Sequence, residues 1–431
     1  MENTNLKPSV RFPEFTKNWR GTKFKNHFEF KNTNSLSREN LNYESGEVKN
    51  IHYGDIHTKF DTHFDIKKEE LPFINDDVDI SRIDDENYVL NGDLVMADAS
   101  EDYADIGKTI EITNTNNEKI LAGLHTFLAR KTDETLAKGF FGHLLTTYKA
   151  RIELMTIAQG TKVLGLSKGR VEKIDLFIPK PAEQQKIANF LTKVDSHITL
   201  LKEKKEALVE YKKGVLQKIF NQDIRFKDDN GNDFPDWEEK KLGTIGKFQT
   251  SSVDKLTIEG EKKIFLVNYM NVYNHEEINN QTVKVYQVVS AKDSQIESSN
   301  LKKGDILFTP SSETASDIGH SVVIFEDIEN AVYSYHLMRF RPNVDLDLKY
   351  SHYFCNNSSV LKQMTRFSTG STRYTISVGN FSKVNVSIPT KLEQTKIANY
   401  LTVLDDKIDA LEQKIDASVD FKKGLLQKMF V

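Results

Sequence analysis

The stretch EQQKIANFLTKVDSHITLLKEKKEALVEYKKGVLQKIF, from Glu183 to Phe220, returns as EQTKIANYLTVLDDKIDALEQKIDASVDFKKGLLQKMF, from Glu393 to Phe430, with 21 of 38 positions identical and no gap. The offset of 210 residues is nearly half of the 431-residue chain, so the molecule is one unit written twice. Weaker echoes sit at nearby offsets: Gly92-Asp93 with Gly304-Asp305, Asp105-Ile106-Gly107 with Asp317-Ile318-Gly319, and Ile178-Pro179 with Ile388-Pro389. The only two tryptophans, Trp19 and Trp237, continue the series.

Both copies have a helical period. Ile187, Leu191, Val194, Ile198, Leu201, Leu208, Val215 and Ile219 fall on one stripe of the first, and Ile397, Leu401, Leu404, Ile408, Leu411, Ile415, Leu425 and Met429 on one stripe of the second. The spacing mostly alternates four and three, which is a coiled-coil seam. Pro181 suits a first helical position with Glu183 in the first turn, and Thr390 with Glu393 predicts a capping box. Each helix would reach roughly 57 Å at about 1.5 Å per residue. Both carry Lys-Lys-Gly (Lys212, Lys213, Gly214; Lys422, Lys423, Gly424), although an interior glycine costs about 1 kcal/mol relative to alanine. Two explanations stand: a packing glycine where two backbones cross, or a seat for a partner subunit.

Between the helices lie two globular units of mixed pattern, at roughly 12–180 and 234–389. Short strand-like runs recur at Leu94 to Ala97, Ile174 to Ile178, Ile306 to Thr309, Val322 to Phe325 and Val384 to Ile388, and Thr135 to Thr156 and Leu348 to Phe367 are predicted helices. The fold class is therefore α/β (α+β): two globular domains alternating with two long helices that carry a coiled-coil seam. The division is 1–181, 182–222 (first helix), 223–391, which opens with the polar joint Asp228 to Asp233, and 392–431 (second helix). The helices are nearly copies while the units share little, which suits a frame holding two different readers.

One cysteine, Cys355, excludes a disulfide framework and a cysteine zinc ribbon. The start, MENTNLKPSV, has no basic-then-apolar signal and no run approaches a membrane span, so a cytoplasmic protein without membrane attachment is expected. A formal charge of -4 argues against a large non-specific basic surface without excluding a DNA-contacting face.

Catalytic constellations are missing. There is no Pro-Pro for an amino-methyltransferase tetrapeptide, and Asp102 stands where a phosphate loop ending Gly107-Lys108-Thr109 needs glycine. The zinc-protease pattern beginning at His275-Glu276 fails at Asn279, and Glu203-Lys204-Lys205 lies on a solvated helix face. His52, His57 and His63 are spaced by five and six, which favours loop and surface roles over a metal site. No catalytic residue and no metal ligand is assigned.

The motif Ile-Pro, then Glu-Gln-x-Lys-Ile-Ala-Asn at the head of a long helix, occurs twice, with Arg225-Phe226 and Phe234-Pro235-Asp236-Trp237 between the halves and Val10-Arg11-Phe12-Pro13-Glu14-Phe15 as a similar leader. This pattern closely resembles the specificity subunit of type I restriction-modification enzymes, and the resemblance spans essentially the whole chain. It implies two target-recognition domains, each reading half of a split double-stranded DNA site, held by two antiparallel helices, with no active site. It also implies two methylation subunits, which use S-adenosylmethionine to methylate adenine, and restriction subunits driven by ATP and Mg; the chain itself would bind none of these cofactors. Because the units differ, the half-sites should differ. The rival expectation is a coiled-coil scaffold whose heads bind proteins.

Base-reading side chains are expected in polar loops. In the first unit these carry Tyr53, His57, Ser100, Lys108, Gln159, Thr161 and Lys162; in the second Asn268, Tyr269, Asn271, Ser311, Ser312, Thr314, Ser371, Thr372, Arg373 and Tyr374. Arg373, between Thr372 and Tyr374, is the foremost candidate.

Overall fold

The computed structural model describes residues 6–431, so the first five residues of the leader lie outside it. Two compact units divide the described residues: one comprises those up to Lys202 together with 413–431, the other residues 203–412. The long helices, Pro181–Phe220 and Lys391–Met429, are continuous, with Pro181 at the first position as its fixed φ favours. Each unit thus combines one globular part with the start of one long helix and the end of the other.

In the first unit Ile187, Ala188 and Leu191 share a core with Trp19, Phe140, Leu425, Met429 and Phe430. Asp195 pairs with Lys422 at 2.5 Å, so the two helical segments run antiparallel. In the second unit Ile219 joins Trp237, Ile397, Leu401 and Leu404, and Lys205–Glu412 (2.7 Å) and Lys212–Asp405 pairs give the same antiparallel sense. Val194 is half-buried, Ile198 and Leu411 are buried, and Leu201 and Ile408 are half-buried, as a two-helix seam requires. Burying one such side chain is worth about 1.5–3 kcal/mol.

The Glu-Gln at each helix start anchors the leader that precedes its unit. Glu183 accepts two hydrogen bonds from the Arg11 guanidinium (both 2.7 Å) and one from Trp19 Nε1 (3.2 Å); Glu393 accepts from Arg225 (3.2 and 2.8 Å) and Trp237 Nε1 (3.1 Å). Gln184 and Gln394 each accept a backbone N–H, from Ala137 and Asp347, and donate to Pro179 and Pro389 carbonyls. The expected capping box at Thr390 is only half made: Thr390 Oγ1 accepts from the Glu393 N–H at 3.4 Å, but the Glu393 carboxylate turns to Arg225, where charge-assisted bonds are stronger.

Each unit holds a matching antiparallel sheet. In the second the order is Gly246–Thr250, Met338–Pro342, Ile306–Phe308, Ser321–Val323. In the first it is Phe28–Lys31, Thr126–Lys131, Leu94–Ala97, Thr109–Asn114, with a fifth strand, His63–Asp65, added in parallel at the edge. The Gly-Asp echo is a shared turn: Asp93 receives a bidentate Arg130 and Asp305 a bidentate Arg341. The predicted strands form, at Leu94–Ala97, Asp175–Ile178, Ile306–Phe308, Ser321–Val323 and Asn385–Ile388.

Three local expectations are corrected. The helix expected over Thr135 to Thr156 is two, Phe140–Thr146 and Tyr148–Ile157, broken where Thr147 turns extended (ψ 152) and caps the second through its hydroxyl. The helix expected over Leu348 to Phe367 is likewise two, Leu348–Cys355 and Ser358–Phe367, with Asn357 accepting from the Ser359 and Val360 N–H groups. Gly214 and Gly424 are not packing glycines: a Cβ at either would meet nothing within 4 Å among the described residues.

Candidate nucleic-acid interface

The same backbone device occurs in both units. Gly160 (φ +125) and Gly370 (φ +144) each open a tight hairpin in which a Cβ would sit 2.0 Å from a carbonyl oxygen, of Val163 and Arg373 respectively, so only glycine closes the turn. The hairpins end in strands that pair with corresponding loops: Leu164–Gly165 against Ala99–Ser100, and Tyr374–Thr375 against Ser311–Ser312. Tertiary pairing thereby brings candidate segments more than 60 residues apart into one surface within each unit.

In the first unit, His57 lies 3.0 Å from the Ala99 carbonyl, and Lys108 Nζ donates to the His57 carbonyl at 2.7 Å. Tyr53 stands edge-on to His57 (6.0 Å) and to His125 (5.3 Å). Ser100 is buried and accepts the Asp102 N–H, whereas Gln159, Thr161 and Lys162 are exposed. Gln159 packs its amide against the Arg170 guanidinium.

In the second unit, Arg373 is exposed and touches Ser311 Oγ at 3.3 Å through one nitrogen, leaving most of its five donors outward. Tyr269 donates its hydroxyl to the Ser311 carbonyl (2.9 Å), and burial pushes the phenol above its usual range. Asn268 caps the short helix Tyr269–Tyr273 that carries Tyr269 and Asn271, and the capping box engages both amides. Ser312 is buried opposite half-buried Tyr374, while Thr314, Ser371 and Thr372 are exposed.

Several residues of these surfaces escaped the sequence. His125, at φ +54 and 3.3 Å from Asp98, joins Tyr53 across 72 positions. Tyr273 donates to Asp317 (2.9 Å), which also meets His320 Nε2 (2.9 Å), and His320 Nδ1 lies 3.1 Å from His275 Nε2. Burial raises the Asp317 pKa, but the His320, Tyr273 and Ser312 hydrogen bonds outweigh it and hold the carboxyl below its ordinary value. The Asp-Ile-Gly echo marked Asp317, but nothing local marked its aromatic and histidine partners.

A family model described as type I restriction modification DNA specificity domain matches residues 17–210 and again 235–420. The chain belongs to the type I restriction-modification DNA specificity family. A Methanocaldococcus jannaschii protein with the provisional name of MjaX type I restriction enzyme specificity subunit is 24% identical over 394 residues, covering 86% of this chain and 84% of that one. The HindI specificity subunit of Haemophilus influenzae is 26% identical over 199 residues, 46% of this chain and 41% of that one. Among solved structures, an S subunit from M. genitalium superposes with a TM-score of 0.52 at 12% identity, covering 99% of both chains. The HsdS subunit from Thermoanaerobacter tengcongensis does so with a TM-score of 0.50 at 14% identity and 96% coverage of both. These structural likenesses bear on the fold.

Specificity subunits guide partner enzyme subunits to DNA and are themselves non-catalytic; S-adenosylmethionine, ATP and Mg are used by the partners. No helix among the described residues is long and apolar enough to cross a membrane.

Proposed function

We propose that this specificity subunit reads an asymmetric, gapped DNA site, one half with each unit, and so directs adenine methylation or cleavage by its partners. The observation that carries this is the repeated hairpin. One backbone presents Thr161-Lys162-Val163 in the first unit and Ser371-Thr372-Arg373 in the second. Arginine pairs bidentately with guanine, lysine and hydroxyls hold phosphates, and an apolar side chain suits a thymine methyl. One mount with different chemistry supports two different half-sites. We further propose the division into target-recognition domains 1–181 and 223–391 with spacer helices 182–222 and 392–431, the helix length setting the gap.

Two methylation subunits fit the repeat of exposed positions on the helices. Tyr211 and Gly214 lie three apart on the helix Pro181–Phe220, and Phe421 and Gly424 match them on the helix Lys391–Met429. Tyr211 and Phe421 are exposed, and both glycines face open space. One seat per copy supports two partners.

The test is a genome-wide map of modified bases with and without this gene. Loss of methyladenine from one asymmetric gapped motif is the expected result and reports both half-sites and the spacer. Identical maps, in a host whose methylation subunit is expressed and co-purifies with this chain, would overturn the proposal.

A further inference from the structure

The strongest unexplained feature of the first unit is a buried polar cluster beneath the sheet edge. His63, on the added edge strand, donates from Nε2 to the Gly139 carbonyl at 2.8 Å. That bond assigns the proton of the neutral ring to Nε2 and leaves a lone pair on Nδ1. Nδ1 faces Asp195 Oδ2 at 4.0 Å, so two acceptors confront each other. The His143 ring lies 4.2 Å from the His63 ring, tilted 60° to it, and is 1% exposed, yet neither of its nitrogens has a hydrogen-bond partner among the described residues. Two lone-pair donors and a carboxylate oxygen converge with nothing supplied to receive them.

The second unit shows how the same place is satisfied otherwise. The 210-residue offset relates Asp195 to Asp405 and His143 to Tyr353. Asp405 takes Lys212 on Oδ1 and the Tyr353 hydroxyl on Oδ2 at 2.5 Å, which closes both oxygens. Asp195 takes Lys422 on Oδ1 at 2.5 Å, but among the described residues no hydroxyl reaches Oδ2. The edge strand that brings His63 has no counterpart in the sheet of the second unit.

We propose that His63, His143 and Asp195 bind one transition-metal cation of the zinc class, tying the edge strand and the helix Phe140–Thr146 to the first long helix. Their donor atoms all lie within 4.8 Å of one another. Tetrahedral zinc with bonds of about 2.1 Å sets its ligands roughly 3.4 Å apart, so closure asks for small ring and carboxylate rotations, with water in the fourth position. Imidazole with a single carboxylate favours zinc over magnesium or calcium. A ligating histidine that donates its other N–H to a backbone carbonyl is the outer-shell arrangement of such sites, and His63 has it. Lys422 stays on Oδ1, and Glu111, the cross-strand neighbour of His63, spends both carboxyl oxygens on the Gly139 and Gly142 N–H groups and is not a ligand. This site is independent of which bases the surfaces read.

The full chain, stripped of metal, is titrated with Co2+ and then Zn2+. We expect one tightly bound Co2+ with tetrahedral visible bands, displaced by Zn2+, and a zinc-dependent rise in melting temperature. His143→Tyr, which reproduces the arrangement of the second unit, and His63→Gln should each abolish the bands and the rise, while His320→Ala in the second unit changes neither. Wild-type protein that takes up no Co2+, or that binds it equally in both variants, overturns the site and leaves bridging water as the occupant. Should His143→Tyr fail to fold, His63→Gln decides.

Discussion

The two units place the same aspartate and lysine on their long helices and complete the arrangement differently. In the second, Tyr353 and Lys212 close both oxygens of Asp405; in the first, Lys422 holds one oxygen of Asp195 while two histidines crowd the other. The hairpins repeat the lesson at the surface, with Val163 where the other unit has Arg373. What joins helix to helix and leader to helix is duplicated closely. What fills the space between helix and sheet edge, and what faces outward, is free to change, because those side chains answer to their own unit alone.

The largest expected effects probe the part that should be identical. Glu393→Ala strands Arg225 and Trp237 Nε1, and Glu183→Ala strands Arg11 and Trp19 Nε1. Breaking a buried pair costs about 3–5 kcal/mol, so denaturant unfolding should show two losses of similar size. A loss confined to one variant would break the equivalence.

The next effect belongs to the first unit alone. Burial pushes the Glu111 carboxyl up to about 7 against the pull of the Gly139 and Gly142 N–H donors. An acid whose folded pKa is raised keeps its proton longer folded than unfolded, so it adds stability as pH falls from 7 towards 4.5, by at most about 3 kcal/mol. Burial lowers both His63 and His143, the latter to about 2, with the opposite sign: stability is lost as pH falls below 6.5. In chelated protein, Glu111→Gln removes the compensating carboxyl. Its melting temperature should therefore fall more steeply than wild type between pH 6.5 and 4.5, and parallel curves would refute the assignment.

Specificity comes third. Arg373→Ala should weaken discrimination at one base by about 1–3 kcal/mol, relaxing one half-site while the methylation pattern of the other is unchanged. Relaxation of both halves, or of neither, would remove Arg373 from base reading. Smallest is the helix pair itself. Lys212→Met should cost about 0.5 kcal/mol, because Tyr353 still donates to Asp405, and Lys422→Met about twice that, Asp195 having no such hydroxyl. Equal thermal shifts would show that Tyr353 contributes nothing to the pair.

Much of the fold was legible because its determinants are local or repeated. Pro181 starts its helix, and strands such as Leu94–Ala97 lie where short apolar runs after Gly-Asp turns put them. The breaks at Thr147 and Asn357 were missed because a threonine or asparagine caps a helix only when its backbone turns extended, and composition does not record that turn. The candidate segments converge within each unit, but Tyr53 and His57 lie on the helix Tyr53–Thr58 and Tyr269 and Asn271 on the helix Tyr269–Tyr273 rather than on loops, and Asn268 and Asn271 are also engaged in capping. Reading His63 as a loop or surface residue was wrong: it stands on a sheet edge against buried His143, and His52 is buried too, accepting the Gly54 N–H.

By itself the sequence determined the duplication, the heptad seam and the motif that places the chain in its family, since each is written in residues a few positions apart or repeated at one offset. Only the tertiary structure decided that Glu183 and Glu393 would grip a distant arginine and tryptophan rather than cap their own helices. It alone also gathered His63, His143 and Asp195 into one cluster. Those contacts join positions tens to hundreds of residues apart, and no local period encodes which side chains a sheet edge will bring beneath a helix.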